Sequence, residues 1–341
     1  MPVRSKSQSP PARWQSLPTE AINPGTLAID KLSAVDIVEG MLKEDHKMLA
    51  AVHREKERIA VGVDIIAQAL RKKGRIIFVG AGTSGRLGVL EAAEMPTTFG
   101  TDADLVLAIM PGGQNAFLRA KEGVEDDHER GASSILRLKP TRKDVVIGVS
   151  ASGVTPFVQG ALTRARRVGS KIIFVTCDPR NELQMFVDLT IAPAVGPEVI
   201  AGSTRLKAGT ATKIVLNMLT TAAMIRIGKT YGNLMVDVQV GSQQRRARAL
   251  RIIAIVTGLE DAAADRLLRQ AHWNVKAAIV MQKGGLNYAK ALSRLRRAHD
   301  VVRDAIGEDV EPHLRELLEH HTVNNSNPSP AREKPPAPRT R

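Results

Sequence analysis

Residues 75–96 read RIIFVGAGTSGRLGVLEAAEMP, and this stretch decides the fold. An apolar run, Ile76-Ile77-Phe78-Val79, passes into a turn of glycines and hydroxyls, and the turn passes into a helical pattern ending before Met95-Pro96. Strand, glycine-rich turn and helix in that order bring free backbone N–H groups and the positive end of a helix dipole to one point, which suits an anion. Thr83 and Ser84 add hydroxyl donors that a dinucleotide fingerprint does not need. Glu91 and Glu94 follow in the same helix, so the pattern predicts a phosphorylated ligand beside an acid or base.

Outward from this stretch, five short apolar runs alternate with helical segments: 75–80, 105–110, 144–150, 171–177 and 188–193. Most are β-branched and apolar on both faces, as strands covered by helices on both sides require. Repeated strand–helix units with right-handed crossovers predict an α/β fold: a three-layer, doubly wound, parallel five-stranded sheet. Ligands in such sheets bind beyond the carboxyl ends of the strands. Two turns fall there. One is GAGTSGR after the first strand, and the other is Ser150-Ala151-Ser152-Gly153-Val154-Thr155-Pro156 after the third. Pro156 suits the first turn of a helix. Thr83, Ser84 and Gly85 in the first turn, and Ser150, Ser152, Gly153 and Thr155 in the second, are the candidates for holding a phosphate or neighbouring sugar groups.

Residues 35–73 read as helical ahead of the first strand, and 203–231 as one long helix opened by a Ser or Thr cap. Strand signals stop near Gly241. Segments 242–257, 260–272, 274–283 and 286–306 then read as short helices punctuated by Gly258 and Gly284-Gly285. The expected organisation is a basic disordered tail (1–18), an α/β domain (19–241, core about 66–229), a small C-terminal all-helical domain (242–321) and a second disordered tail (322–341).

The chain has 341 residues and a formal net charge of +14. Each tail carries +3, so +8 falls on the residues between. With aromatics at 3% and no helix-turn-helix start, the runs of arginine read as solvated helix faces and no nucleic-acid partner is expected. Cys177 is the one cysteine, which excludes an internal disulfide and Cys-rich metal sites; it ends a strand-like run and reads as a buried bystander. No apolar run approaches the ~20 residues that span a bilayer, and residues 1–14 lack the apolar core of a secretory signal. The expectation is a soluble, cytoplasmic protein without a membrane partner.

Gly80-Ala81-Gly82-Thr83-Ser84-Gly85 matches Gly-x-Gly-x-x-Gly after a strand, a weak signal alone, and the acid that a dinucleotide site needs at the end of the second strand is missing: Met110-Pro111-Gly112-Gly113 stands there. No Gly-Lys-Ser/Thr follows the glycines, so the P-loop reading fails too. Glu94 and Glu125 are the acids singled out for chemistry, although spacing alone reads both as surface acids and Glu125 as part of an acidic helix start.

The sequence resembles the N-acetylmuramic acid 6-phosphate etherases, members of the sugar isomerase domain superfamily, from about Thr19 to about Ile306. The marks are Thr19-Glu20 with Asn23-Pro24, GAGTSGRLGVLEAAEMPTTFG, SASGVTPFV and the segment EVIAGSTRLKAGTATKIVLNMLTTAAMIRIGKTYGNLMVDV. Members of that family read Asp-Ala-Ser-Glu-Cys-Pro-Pro-Thr-Phe-Gly where this chain has Glu91-Ala92-Ala93-Glu94-Met95-Pro96-Thr97-Thr98-Phe99-Gly100. The family's catalytic glutamate thus falls on Glu94 and its second functional glutamate on Glu125. The resemblance implies cleavage of the D-lactyl ether at C3 of the phosphorylated amino sugar, giving N-acetylglucosamine 6-phosphate and D-lactate, in cell-wall amino-sugar catabolism and recycling. It implies a homodimer and no metal or redox cofactor. Two other readings use the same loops: a non-catalytic sugar-phosphate-binding regulator, which would not need both glutamates, and an aldose–ketose isomerase, which would release no lactate.

Overall fold

The computed structural model describes residues 17–325. The expected disordered tails lie outside the described residues except at their inner ends. There Leu17 is buried, and residues 322–325 continue a helix.

The chain divides into two compact units between Lys229 and Thr230. In the first, helices α1 (Ala34–Arg54) and α2 (Lys56–Arg71) precede strand β1 (Ile76–Gly80) and helix α3 (Gly82–Phe99). Then come β2 (Val106–Ile109), α4 (Gly113–Leu118), α5 (His128–Arg137), β3 (Val145–Val149), α6 (Pro156–Val168), β4 (Lys171–Val175), β5 (Leu189–Ile191) and α7 (Lys207–Arg226). The five strands are the five apolar runs, trimmed at their ends. All pair in parallel in the order β2-β1-β3-β4-β5, with Phe78 of β1 between Ala108 of β2 and Ile147 of β3.

Every residue of β1 and β3 is buried because both sheet faces are covered. Ile76, Phe78, Ile147 and Ile173 point to a layer containing Met95 and Phe99 of α3 and Leu216 and Leu219 of α7. Ile77, Val79, Val146 and Phe174 point the other way, onto Ile135 of α5 and Phe157 and Ala161 of α6. Strand order reverses between β1 and β3, so their carboxyl ends open a crevice at the switch point. The glycines of the first turn let helix and strand meet: a Cβ on Gly85 would lie 2.5 Å from the Gly80 carbonyl oxygen.

Three helix expectations change. The segment 35–73 is two helices, broken at Glu55, whose carboxylate accepts the Ala192 N–H at 3.0 Å. The segment 203–231 is helical only over Lys207–Arg226. Its start is set from outside, because Glu198 accepts the N–H groups of Lys207 (3.2 Å) and Ala208 (2.9 Å), doing the work assigned to a Ser or Thr cap. It ends before Gly228, which sits at φ +82°. The segment 286–306 is likewise two helices, separated at His299 and Asp300, both at positive φ.

Lys207 also makes a buried ion pair with Glu44 of α1, the side chains being 2% and 8% exposed. Burial alone would raise the Glu44 carboxyl. Hydrogen bonds from Lys207, Lys47 and Asn23 together outweigh it and hold the group at about 2. Its stabilising contribution is therefore complete above the usual value of 4.5 and is lost as pH falls toward 2. Lys207→Met leaves Glu44 buried with only Asn23 and the more exposed Lys47 beside it. We expect a loss of roughly 3 kcal/mol, read as a lower urea midpoint at neutral pH; an unchanged midpoint would mean the pair contributes no net stability.

Among the described residues the helices of the second unit are α8 (Gln243–Thr257), α9 (Asp261–Gln270), α10 (Val275–Gly284), α11 (Tyr288–Arg297), α12 (Val302–Ile306) and α13 (Glu311–Asn325), and it holds no strand of the sheet. Tyr231, Val236 and Val238 lie in its core with Ile253, Leu268 and Ile279, so this unit begins ahead of the boundary expected near Gly241.

Candidate active site

A cavity of about 500 Å³ opens at the carboxyl ends of β1 and β3. Both predicted turns line it, through Thr83 and Ser84 on one side and Ser150, Ser152 and Thr155 on the other. α3 starts at Gly82, so the N–H groups of its first turn have no partner within the helix and face the opening. Arg86, one turn on, also lines the cavity; its guanidinium is pinned by the carbonyls of Phe117 (2.9 Å) and Ala116 (2.8 Å).

The second turn is built by its own hydroxyls. Ser150 and Thr155 share a hydrogen bond at 2.7 Å, and the Gly153 N–H donates to Ser150 Oγ at 3.1 Å. Thr155 precedes α6 but does not cap it, because its hydroxyl is turned to Ser150. Gly153 has φ +78°, and a Cβ there would lie 2.0 Å from Asn181 Nδ2, which instead donates to the Gly153 carbonyl at 2.6 Å. Gly85 and Gly153 thus shape the turns and do not themselves line the cavity.

Glu125 lines the cavity, and a backbone bond explains why. The Phe157 N–H, in the first turn of α6, donates to the Glu125 carbonyl at 2.9 Å. The segment after α4 is thereby fastened beside the hydroxyls of the second turn. Nothing in the spacing of residues 125 and 157 announces this bond.

Glu94 does not line the cavity of its own chain. It lies eleven residues after Thr83 on α3, about 16 Å along the helix axis, and its side chain is exposed. The Thr97 hydroxyl is 3.3 Å from its carboxylate. Glu91, one turn earlier, is 5% exposed. Its carboxylate accepts from the Thr220 hydroxyl and from Asn217 Nδ2 (2.5 Å), tying α3 to α7. Burial pushes the Glu91 carboxyl up, and the bonds from Thr220 and Asn217 offset only part of that. Cys177 is 1% exposed, and burial, with the charge of Glu198, pushes its thiol up to about 12. A thiol held protonated and out of solvent is no nucleophile.

Sequence reasoning missed Glu20, Arg86, Lys121, Thr204 and Thr212, all of which line the cavity. Glu20, Thr204 and the α7 residue Thr212 come from segments far from either turn in sequence, and only the fold joins them.

Comparison with known proteins adds to this geometry. A family model described as the glucokinase regulatory protein N-terminal SIS domain matches residues 58–166, and the SIS domain model matches residues 131–222. The chain is 46% identical over 310 residues to the N-acetylmuramic acid 6-phosphate etherase of Salinibacter ruber, covering 91% of this chain and 100% of that protein. It is 48% identical over 282 residues to the N-acetylmuramic acid 6-phosphate etherase of Gloeobacter violaceus, covering 83% of this chain and 92% of that protein. Among solved structures, a phosphoheptose isomerase from Francisella tularensis is similar at a TM-score of 0.42 and 14% identity, over 56% of this chain and 98% of that one.

Proposed function

Because the chain belongs to the N-acetylmuramic acid 6-phosphate etherase family, we propose that its switch-point cavity binds N-acetylmuramic acid 6-phosphate and cleaves the D-lactyl ether. The observation that carries this reading is the hydrogen bond from Phe157 to Glu125, which fastens a carboxylate beside two hydroxyl-lined turns. The phosphate sits against Thr83, Ser84 and the free N–H groups of α3, with Ser150, Ser152 and Thr155 facing it. That end of the sugar does not react, so its binding energy goes into orienting C2 and C3.

In the open-chain sugar C1 is an aldehyde and acidifies the C2 hydrogen. Glu125 takes that proton, and the C3–O bond breaks as Glu94, acting as an acid, protonates the departing lactate oxygen. Glu94, now a carboxylate, accepts a proton from water as the water oxygen bonds to C3, and the C2 proton is returned. The sum is sugar phosphate plus water giving N-acetylglucosamine 6-phosphate plus D-lactate, with no redox change.

Three helical turns separate Glu94 from Thr83, more than a hexose can bridge, so the Glu94 that serves a cavity comes from a second copy of the chain. Exposed apolar side chains on the first unit support a homodimer. Leu90, one turn before Glu94, is exposed, as are Val35, Val38, Leu42 and Leu49 in a single stripe along α1. Among the described residues no helix is long and apolar enough to cross a membrane. A cytoplasmic role in recycling cell-wall amino sugars fits this substrate.

The test is incubation of the purified full chain with N-acetylmuramic acid 6-phosphate and enzymatic measurement of D-lactate. One lactate per sugar consumed is expected. Tight binding without lactate would leave a non-catalytic sugar-phosphate binder instead.

A further inference from the structure

One wall of the cavity comes from a segment that the two-glutamate reaction does not use. Residues 19–26 are stapled onto the loop ahead of α7 by bonds spanning more than 170 residues of chain. Gly202 N–H donates to the Thr19 carbonyl at 3.2 Å, Asn23 Nδ2 to the Pro197 carbonyl at 3.3 Å, and the Thr26 hydroxyl to the Val199 carbonyl at 3.0 Å. Asn23 also caps the short helical turn Pro24–Thr26, its Oδ1 accepting from the Gly25 N–H at 2.9 Å. Thr19 and Asn23 are buried, whereas Glu20 between them is exposed and lines the cavity. Space for its carboxylate is kept open by a glycine: a Cβ on Gly202, which sits at φ +76°, would lie 2.8 Å from Glu20 Oε2.

A carboxylate held at the wall of an anion site repels the phosphate and is suited to the sugar's own hydrogen-bond donors. An ionised carboxylate only accepts hydrogen bonds. Besides its phosphate and lactyl groups, the ring form of N-acetylmuramic acid 6-phosphate offers three donors, the C1 hydroxyl, the C4 hydroxyl and the acetamido N–H, and the C5 hydroxyl joins them only once the ring is open. The N–H is attached to C2, where the Glu125 base works, and the C1 hydroxyl disappears when the ring opens. The C4 hydroxyl lies between the phosphate-bearing arm and C3 and survives every step. We propose that Glu20 accepts a hydrogen bond from the sugar's C4 hydroxyl and so holds C3 in register with the reacting glutamates. This makes Glu20 a specificity-determining residue of the etherase site, and the proposal rests on that reading of the cavity.

The test is a double-mutant cycle on binding, which needs no turnover. Affinities of the parent and of Glu20→Ala are measured by calorimetry for N-acetylglucosamine 6-phosphate and for its 4-deoxy analogue. A hydrogen bond to a charged acceptor is worth about 10- to 100-fold in affinity. The parent should lose about that factor when the 4-hydroxyl is removed, and Glu20→Ala should lose less than about threefold. Glu20→Gln, whose amide oxygen still accepts, should recover part of the discrimination. The staples are backbone and Asn23 bonds, so the thermal transition of Glu20→Ala should match the parent. Equal 4-hydroxyl discrimination in parent and Glu20→Ala overturns the proposal, as does a Glu20→Ala variant that binds both sugars like the parent. A parent that binds and discriminates but releases no lactate overturns the etherase reading and leaves the Glu20 contact standing; a parent that releases lactate but binds neither sugar overturns the Glu20 contact and leaves the etherase reading standing.

Discussion

Glu94→Gln is expected to fold like the parent and to release D-lactate from N-acetylmuramic acid 6-phosphate about 10³-fold more slowly. The size follows from what a positioned acid–base group contributes, roughly 10² to 10⁴ in rate. On the proposed mechanism the same group serves twice, protonating the departing lactate oxygen and then activating water. The fold is spared because the side chain is exposed and, among the described residues, its carboxylate accepts from the Thr97 hydroxyl alone. An amide accepts that bond equally well, but it cannot shuttle a proton. The phosphate end is held elsewhere, so KM should stay within about threefold of the parent while kcat falls, the pattern of a group acting in the transition state. Glu91→Gln is the contrast. Its carboxylate ties α3 to α7 through Asn217 and Thr220, so this change should register in the unfolding transition. Parental turnover in Glu94→Gln would remove the acid–base assignment outright.

Why one glutamate of this helix is structural and the other free could not be read from their three-residue spacing. The sequence showed what depends on near neighbours. The five apolar runs, most of them β-branched, became the five strands, and β1 and β3, covered on both faces, are buried throughout. Both turns were visible as glycines and hydroxyls at strand ends. What stayed hidden depends on bonds between distant segments. The start of α7 is fixed by Glu198 reaching two backbone N–H groups, so the serine and threonine before it, which look like caps, are not. The break in 286–306 is made by His299 and Asp300 at positive φ, with no glycine to announce it. Glu125 reaches the cavity by a bond to Phe157, and Glu20 by a strap across the loop ahead of α7. A residue's kind could be read one at a time; its reach could not.

Reach also gives the second large effect. Glu125→Gln alone should lose lactate release about as severely as Glu94→Gln, since it removes the base for the C2 proton. Mixed together under conditions that allow subunits to exchange, the two inactive variants should recover activity. In a symmetric dimer each cavity would pair its own Glu125 with the Glu94 of the other chain. A hybrid of one Glu94→Gln chain and one Glu125→Gln chain then has one cavity with both glutamates and one with neither. Random exchange makes half of the dimers hybrid, so recovery should approach about a quarter of the parental rate. If instead each chain supplied both groups to its own cavity, every cavity in the mixture would lack one glutamate and the rate would stay at the level of the single variants. A mixture shown to contain hybrid dimers, yet no more active than either variant alone, would therefore put Glu94 and Glu125 in the same subunit's service.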